Sequence, residues 1–178
     1  MCSSDLPPDV SASARVILPP STVAGPEWTA QLLDSLELDG RVDAAAVGYR
    51  GLAARRVEGR FTCTNRVWRL PGMRIEHEDG LARFVYRNDE RTHAYHYDLD
   101  ALIHPKAVRP LLSVDEAARM DRHFKFGAPI RIQGEVWGNY HDPGSIIAAG
   151  QLWVTNIAVR GETADEASGR FEIGRAHV

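Results

Sequence analysis

Between residues 60 and 99, apolar and polar side chains alternate with the period of two that a half-buried strand requires. The alternating runs are 60–70, 73–78, 81–87 and 92–99, broken at Pro71-Gly72, at Asp79-Gly80 and over residues 88–91. This pattern predicts an antiparallel meander over about 60–99. Asp-Gly is a preferred two-residue hairpin turn, because both central residues need positive φ. Centred there, the register pairs His77 with Ala82, Ile75 with Phe84 and Met73 with Tyr86. A four-residue loop over 88–91 then pairs Tyr86 with His93, Phe84 with Tyr95 and Ala82 with Tyr97. A tight hairpin at Pro71-Gly72 sets Trp68 against Ile75 and Arg66 against His77.

The flanking text predicts two helices and two more strands. Gly25-Pro26 opens a helix over about 26–38, with Trp28, Leu32 and Leu36 on one stripe and Gly40 as its stop. A second helix, about 113–125, starts with the capping-box pair Ser113 and Glu116 and ends before Gly127. Long strands follow at 129–140 and 145–160, joined through His141-Asp142-Pro143-Gly144, which is turn chemistry. Residues 7–14 read as a polar lead-in, 15–18 as a short strand, 44–49 as a strand or a helix remnant, and 161–171 as a solvated tail or linker. The expected fold class is α+β, a curved and mainly antiparallel sheet with the two helices covering one face. Residues 7–160 form its single domain.

The termini change what the chain ends can mean. The DNA string GAGATCGGAAGAGCACACGTC encodes Glu172 to Val178, and its reverse complement, read from GTG as initiator, encodes Met1 to Leu6. One element read in both orientations thus accounts for both ends, and it resembles a common library adapter. Residues 1–6 and 172–178 are therefore expected to be adapter-derived and are set aside from the fold. The interior is expected to be a metagenomic fragment lacking its native N-terminus, so localisation is left unassigned. Cys2 belongs to the adapter, which leaves Cys63 without a disulfide partner or a cysteine zinc site.

Composition narrows the function classes. An apolar share of 44% and a charged share of 25% suit an ordinary soluble globular domain. The net charge is −3, lysine occurs only at 106 and 125, and the arginines are interspersed with acids. Phosphate affinity needs clustered cations, so no nucleic-acid partner is expected. No apolar run approaches the roughly 20 residues of a membrane helix, so no membrane segment is expected. There is no Gly-x-Ser-x-Gly, phosphate-cradling glycine loop or dinucleotide fingerprint. Nothing in the pattern speaks to oligomeric state.

Candidate chemistry comes from the expected register, in which one face carries three rows. Leu70, Met73, Tyr86 and His93 form the first, Trp68, Ile75, Phe84 and Tyr95 the second, and Arg66, His77, Ala82 and Tyr97 the third. Apolar walls with a few convergent polar groups make a small-molecule pocket. His77 and Tyr97 are the catalytic candidates, the imidazole as acid or base and the phenol orienting a carbonyl or hydroxyl. Arg66 is placed to bind an anionic group, with Trp68, Phe84, Tyr86, His93 and Tyr95 as further ligand-binding residues. The expected function is small-molecule binding, with enzymatic use of this His/Arg/Tyr pocket left open. The competing account takes the same face as plain core and the domain as a non-catalytic structural or interaction module of a larger protein.

Two narrower alternatives remain. His96-Tyr97-Asp98 with His141 downstream has the His-x-Asp…His order of an iron-dependent oxygenase, whose two histidines and one carboxylate hold Fe(II). The register puts His96 and Asp98 on the charged face with Arg74, Glu76 and Arg83. No metal or cofactor is therefore expected, and Fe(II) stands as the alternative. An oligonucleotide-binding barrel would use Trp137, Tyr140 and Trp153 as stacking platforms.

Overall fold

The computed structural model describes residues 9–18, 25–49 and 51–174. Ten strands form one antiparallel sheet: β1 (Asp9–Arg15), β2 (Glu37–Tyr49), β3 (Leu52–Thr64), β4 (Val67–His77), β5 (Gly80–Asp89), β6 (Ala94–Ile103), β7 (Phe124–Phe126), β8 (Ile130–Asn139), β9 (Asp142–Val159) and β10 (Glu162–Ile173). Each pairs with its neighbour in sequence, except that a helical connection separates β6 from β8 and the short β7 pairs with β9. Among the described residues, β1 and β10 are the two edge strands and the sheet is not closed.

The expected meander forms, but its turns lie elsewhere. Pro71-Gly72 sits inside β4, where the ladder to β5 shifts between Leu70 and Met73. The β3–β4 hairpin instead turns at Asn65-Arg66, both with positive φ, 51° and 60°. Arg66 therefore leaves the sheet for a turn. The β4–β5 turn is centred on Glu78-Asp79, with His77 opposite Gly80. His77 Nδ1 accepts the Asp79 N–H at 3.0 Å, and Gly80 takes φ 152°, where a Cβ would run into the Leu102 carbonyl oxygen. The next loop is 90–93, so Tyr86 faces Tyr97 and Asn88 faces Tyr95.

These slips preserve the faces. Both hairpin registers move by an even number of positions, and a one-residue slip would be needed to exchange the faces. The shift at Pro71-Gly72 re-phases the strand as a two-residue turn would. Leu70, Met73, Ile75, Phe84, Tyr86, Tyr95 and Tyr97 consequently share one face, as expected.

The sheet is larger than the pattern predicted. Residues 9–14, read as a lead-in, pair with β2, and of the short strand expected at 15–18 only Arg15 is in β1. Residues 37–44, partly assigned to the first helix, alternate Glu-Leu-Asp-Gly-Arg-Val-Asp-Ala and belong to β2. Residues 162–171 of the expected tail lie within β10, which pairs with β9 beyond the turn at Arg160-Gly161, where φ is 51° and 94°. That turn has the positive φ pair of a hairpin but lacks the Asn or Asp that advertises one. Glu172 and Ile173 continue β10 at its exposed edge, with Ile173 63% accessible. Residues 1–6 and 175–178 of the expected adapter ends lie outside the described residues.

Three short helices form: α1 (Pro26–Ser35), α2 (Pro105–Val108) and α3 (Val114–His123), with a 3-10 turn at Arg109–Leu111. The two expected helices form, each shorter than read, and their cover of one face is matched only roughly. Arg66 donates to the Ala30 carbonyl of α1 at 2.8 Å, and Arg91 pairs with Asp34 at 2.8 Å, fixing α1 over the 65–66 and 90–93 loops. At the other end, His104 caps α2 by accepting the Lys106 N–H, and Lys106 reaches Asp79 at 2.7 Å. The Arg160 N–H bonds the His123 carbonyl at the end of α3. No helix among the described residues is long and apolar enough to cross a membrane.

The core is thin. The buried apolar residues are small or slender, among them Ala44, Ala54, Cys63, Met73, Ala101, Val154 and Ile157, and no large side chain is fully buried among the described residues. Burial pushes the Cys63 thiol pKa upward.

Candidate functional site

The expected pocket residues divide into three environments. Arg66 lies at one end of β4 and His77 at the other, an 11-residue strand that spans roughly 35 Å at 3.3 Å per residue. Arg66 Nε lies 2.9 Å from Asp34 Oδ1 without an aligned hydrogen bond, and its Nη2 is committed to Ala30, so the guanidinium serves α1. His77 is nearly buried at the β4–β5 turn, bonded to Asp79. Lys106 holds the Asp79 carboxyl below the usual carboxylate range. Tyr97 sits mid-sheet, 4.4 Å from the Tyr86 ring and 5.8 Å from Tyr95. Arg66, His77 and Tyr97 thus do not converge, because the register that joined them required turns at Pro71-Gly72 and Asp79-Gly80.

The aromatic residues do gather. Phe84, Tyr86, Tyr95 and Tyr97 form one cluster, and burial together with Tyr97 raises the Tyr86 phenol to about 12. Trp68 lies in the row of Asn88 and Tyr95, its indole N–H donating to Glu90 at 2.6 Å. His93 falls in the 90–93 loop instead of the sheet, 2.7 Å from the Tyr140 hydroxyl, with the His141 ring tilted against it at 3.9 Å.

A groove of about 1220 Å³ lies on the opposite, polar face. Two cross-strand rows build it. Val85, Asp98, Glu135, Ala149 and Glu172 form one, and Arg83, Asp100, Gln133, Gln151 and Arg170 the other. Trp137 closes one side. The residues between them on each strand, Phe84, Leu99, Gly134, Gly150 and Phe171, form the floor. Ala82, Tyr86, Tyr97 and Ala101, the next residues of the aromatic face, do not line it. Gly134 and Gly150 face each other, and a Cβ on either would meet the backbone of the facing strand, so bare glycines permit the close approach of β8 and β9 under the groove.

No protein-family model, curated protein or solved structure matches the chain. The site is therefore read from its own residues.

The groove carries one indole, two facing side-chain amides, two guanidinium groups and several carboxylates, most with a hydrogen-bonding capacity open to solvent. Its acids are not uniformly neutralised. Asp100 has Arg131 at 3.6 Å, and Arg131 also lies over the Trp153 ring at 5.8 Å. Asp98 and Glu135 flank His96, whose Nδ1 is 3.9 Å from Asp98 and whose Nε2 is 3.1 Å from Glu135.

Of the three residues of the alternative metal set, two lie together. His96 and Asp98 share the polar face as expected, but His141 lies past the end of the β6–β8 ladder, against His93 and Tyr140. Glu135, directly opposite Asp98, stands where the third ligand was sought. Of the stacking candidates, Trp137 and Trp153 lie on the polar face, while Tyr140 is in the β8–β9 turn. Sequence reasoning passed over Gln133 and Glu135. The signal was present, since Arg131, Gln133, Glu135 and Trp137 alternate with Ile132, Gly134 and Val136 and so share one face of β8.

Proposed function

We propose that this is a small-molecule-binding domain whose ligand occupies the polar-face groove, a polar, ring-bearing compound of the oligosaccharide type. The observation that carries the reading is the union of Trp137 with Gln133, Gln151 and the flanking carboxylates and arginines in one open groove. An indole face packs against the C–H face of a sugar ring, while amides and carboxylates supply donors and acceptors for its hydroxyls. An open trough admits a chain that extends beyond the site at both ends. The mixed charge of the lining disfavours a strongly anionic or cationic ligand.

The test is isothermal titration of soluble oligosaccharides into the full chain. Saturable binding is expected, weakened about tenfold in Trp137→Ala, which is about 1.4 kcal/mol. Equal affinity in wild type and Trp137→Ala sinks the reading. One feature favours a second account, an interaction module of a larger protein: Phe84, Tyr86, Tyr95 and Tyr97 remain only half-buried on one face of the sheet. That account stands if the groove takes no ligand.

A further inference from the structure

We propose that His96, Asp98 and Glu135 bind one divalent transition-metal ion on the rim of the groove. The site goes beyond the organic-ligand reading and does not depend on it. His96 and Asp98 are two apart on β6, hence on one face, and Glu135 of β8 is the direct cross-strand partner of Asp98. Three side chains of one face thus approach a common point from two adjacent strands, and one ligand atom from each lies within 4.8 Å of the others. Two ligands held about 2.0–2.2 Å from one ion stand about 3 to 4.4 Å apart. His96 Nε2 and Glu135 Oε2, at 3.1 Å, already have that spacing. Asp98 closes the set by a small side-chain rotation, which its half-exposed position leaves free.

The electrostatics of the row supply the second argument. Like charges directly opposite each other in an antiparallel ladder are destabilising. Asp98 and Glu135 are such a pair, and their outer neighbours in the row are Val85 and Ala149. Among the described residues, no Lys or Arg lies within ion-pair distance of either carboxylate, and the His96 ring is their one close nitrogen partner. The other acids nearby are served differently, Asp100 by Arg131 and Glu76 by Arg74. A dication bound between them neutralises both carboxylates. Arg87, directly opposite His96 on β5, and Arg83, opposite Asp100, are same-face cations beside the site.

The donor set selects the metal. One imidazole and two carboxylates suit zinc, cobalt, iron or manganese, whereas magnesium and calcium take all-oxygen shells. Three protein ligands leave further coordination positions, and Asp98 and Glu135 line the groove, so those positions are reached from it.

The experiment is titration of the chelator-stripped full chain with Zn2+ by calorimetry and with Co2+ by visible absorption, with Mg2+ as competitor. One ion per chain is expected, with a cobalt spectrum that Mg2+ does not displace. Loss of even a supporting residue at a metal site lowers affinity about 10–100-fold. His96→Ala and Glu135→Gln should each lose at least that much, with unchanged circular dichroism. The side chains are exposed, and Glu135→Gln keeps shape while removing charge, so folding is not at stake. Absence of Zn2+ and Co2+ binding at millimolar metal overturns the proposal, and so does binding that survives both substitutions. Oligosaccharide affinity in His96→Ala is read separately, so the groove reading and the metal site fail independently.

Discussion

Tyr86 and Tyr97 occupy directly opposed positions of β5 and β6, with ring centroids 4.4 Å apart. Partial burial disfavours the phenolate first, and the neighbouring Tyr97 adds to it, so the Tyr86 pKa rises from 10.0 to about 12. Tyr97 is shifted in the same direction by burial. An acid that ionises less readily when folded adds stability that is intact below its unfolded pKa and lost as pH rises toward its folded value. The fold should therefore weaken between pH 10 and about 12. Absorbance of tyrosinate against pH should show a late step that Tyr86→Phe removes, and that variant should hold its circular dichroism to higher pH. An early, complete titration of all tyrosines would contradict the clustered aromatic face. That face was legible in the sequence because it depends only on the parity of strand positions. The exact opposite numbers were not, because His77 capping Asp79 moved one turn and the loop at 90–93 moved the next.

At the scale of elements, α3 is the part whose start the text specifies most fully. Ser113 Oγ accepts the Glu116 N–H, and the Glu116 carboxylate accepts the Ser113 N–H at 2.8 Å and its hydroxyl at 2.7 Å. Removing such a cap costs about 1 kcal/mol. Ser113→Ala should lower the urea midpoint accordingly and leave the unfolding slope unchanged. Hydrogen bonds from Ser113 hold the Glu116 carboxyl below its ordinary 4.5. Its contribution is thus present above pH 4.5 and lost as pH falls through the lowered value, so wild type and Ser113→Ala should converge in acid. A constant gap down to low pH would mean the box is not formed. The opposite case is the β3–β4 turn. Asn65 suits a left-handed position, but Arg66 in the second one is unfavoured locally and is held by α1 from far along the chain. Sequence reasoning therefore preferred Pro71-Gly72, whose turn chemistry is stronger but whose role is to re-phase a continuous strand. The groove was hidden for the same reason that Glu135 was. Its rows run across five strands, and such rows are invisible until the order β5-β6-β8-β9-β10 is known.

The whole molecule is a ladder whose hydrogen bonds grow less protected toward both sides. Every residue of β1 is exposed, as are nearly all of β10, and each has a partner strand on one side only. The middle strands alternate half-buried and exposed positions and are bonded on both sides. Exchange of backbone hydrogens follows the free energy of local opening, from near zero at frayed edges up to the global value in the core. Native-state exchange should accordingly give protection that peaks over β5 and β6 and falls through β9 to β10, and likewise through β2 to β1. The β10 result decides most. Its outward N–H groups have no acceptor within an open sheet, so half of its ladder should exchange at once. Protection of β10 equal to that of β5 would require a further strand along that edge, either β1 closing the sheet or a second copy of the chain. Measuring the same peptides across protein concentration separates the two, because only pairing between copies is lost on dilution.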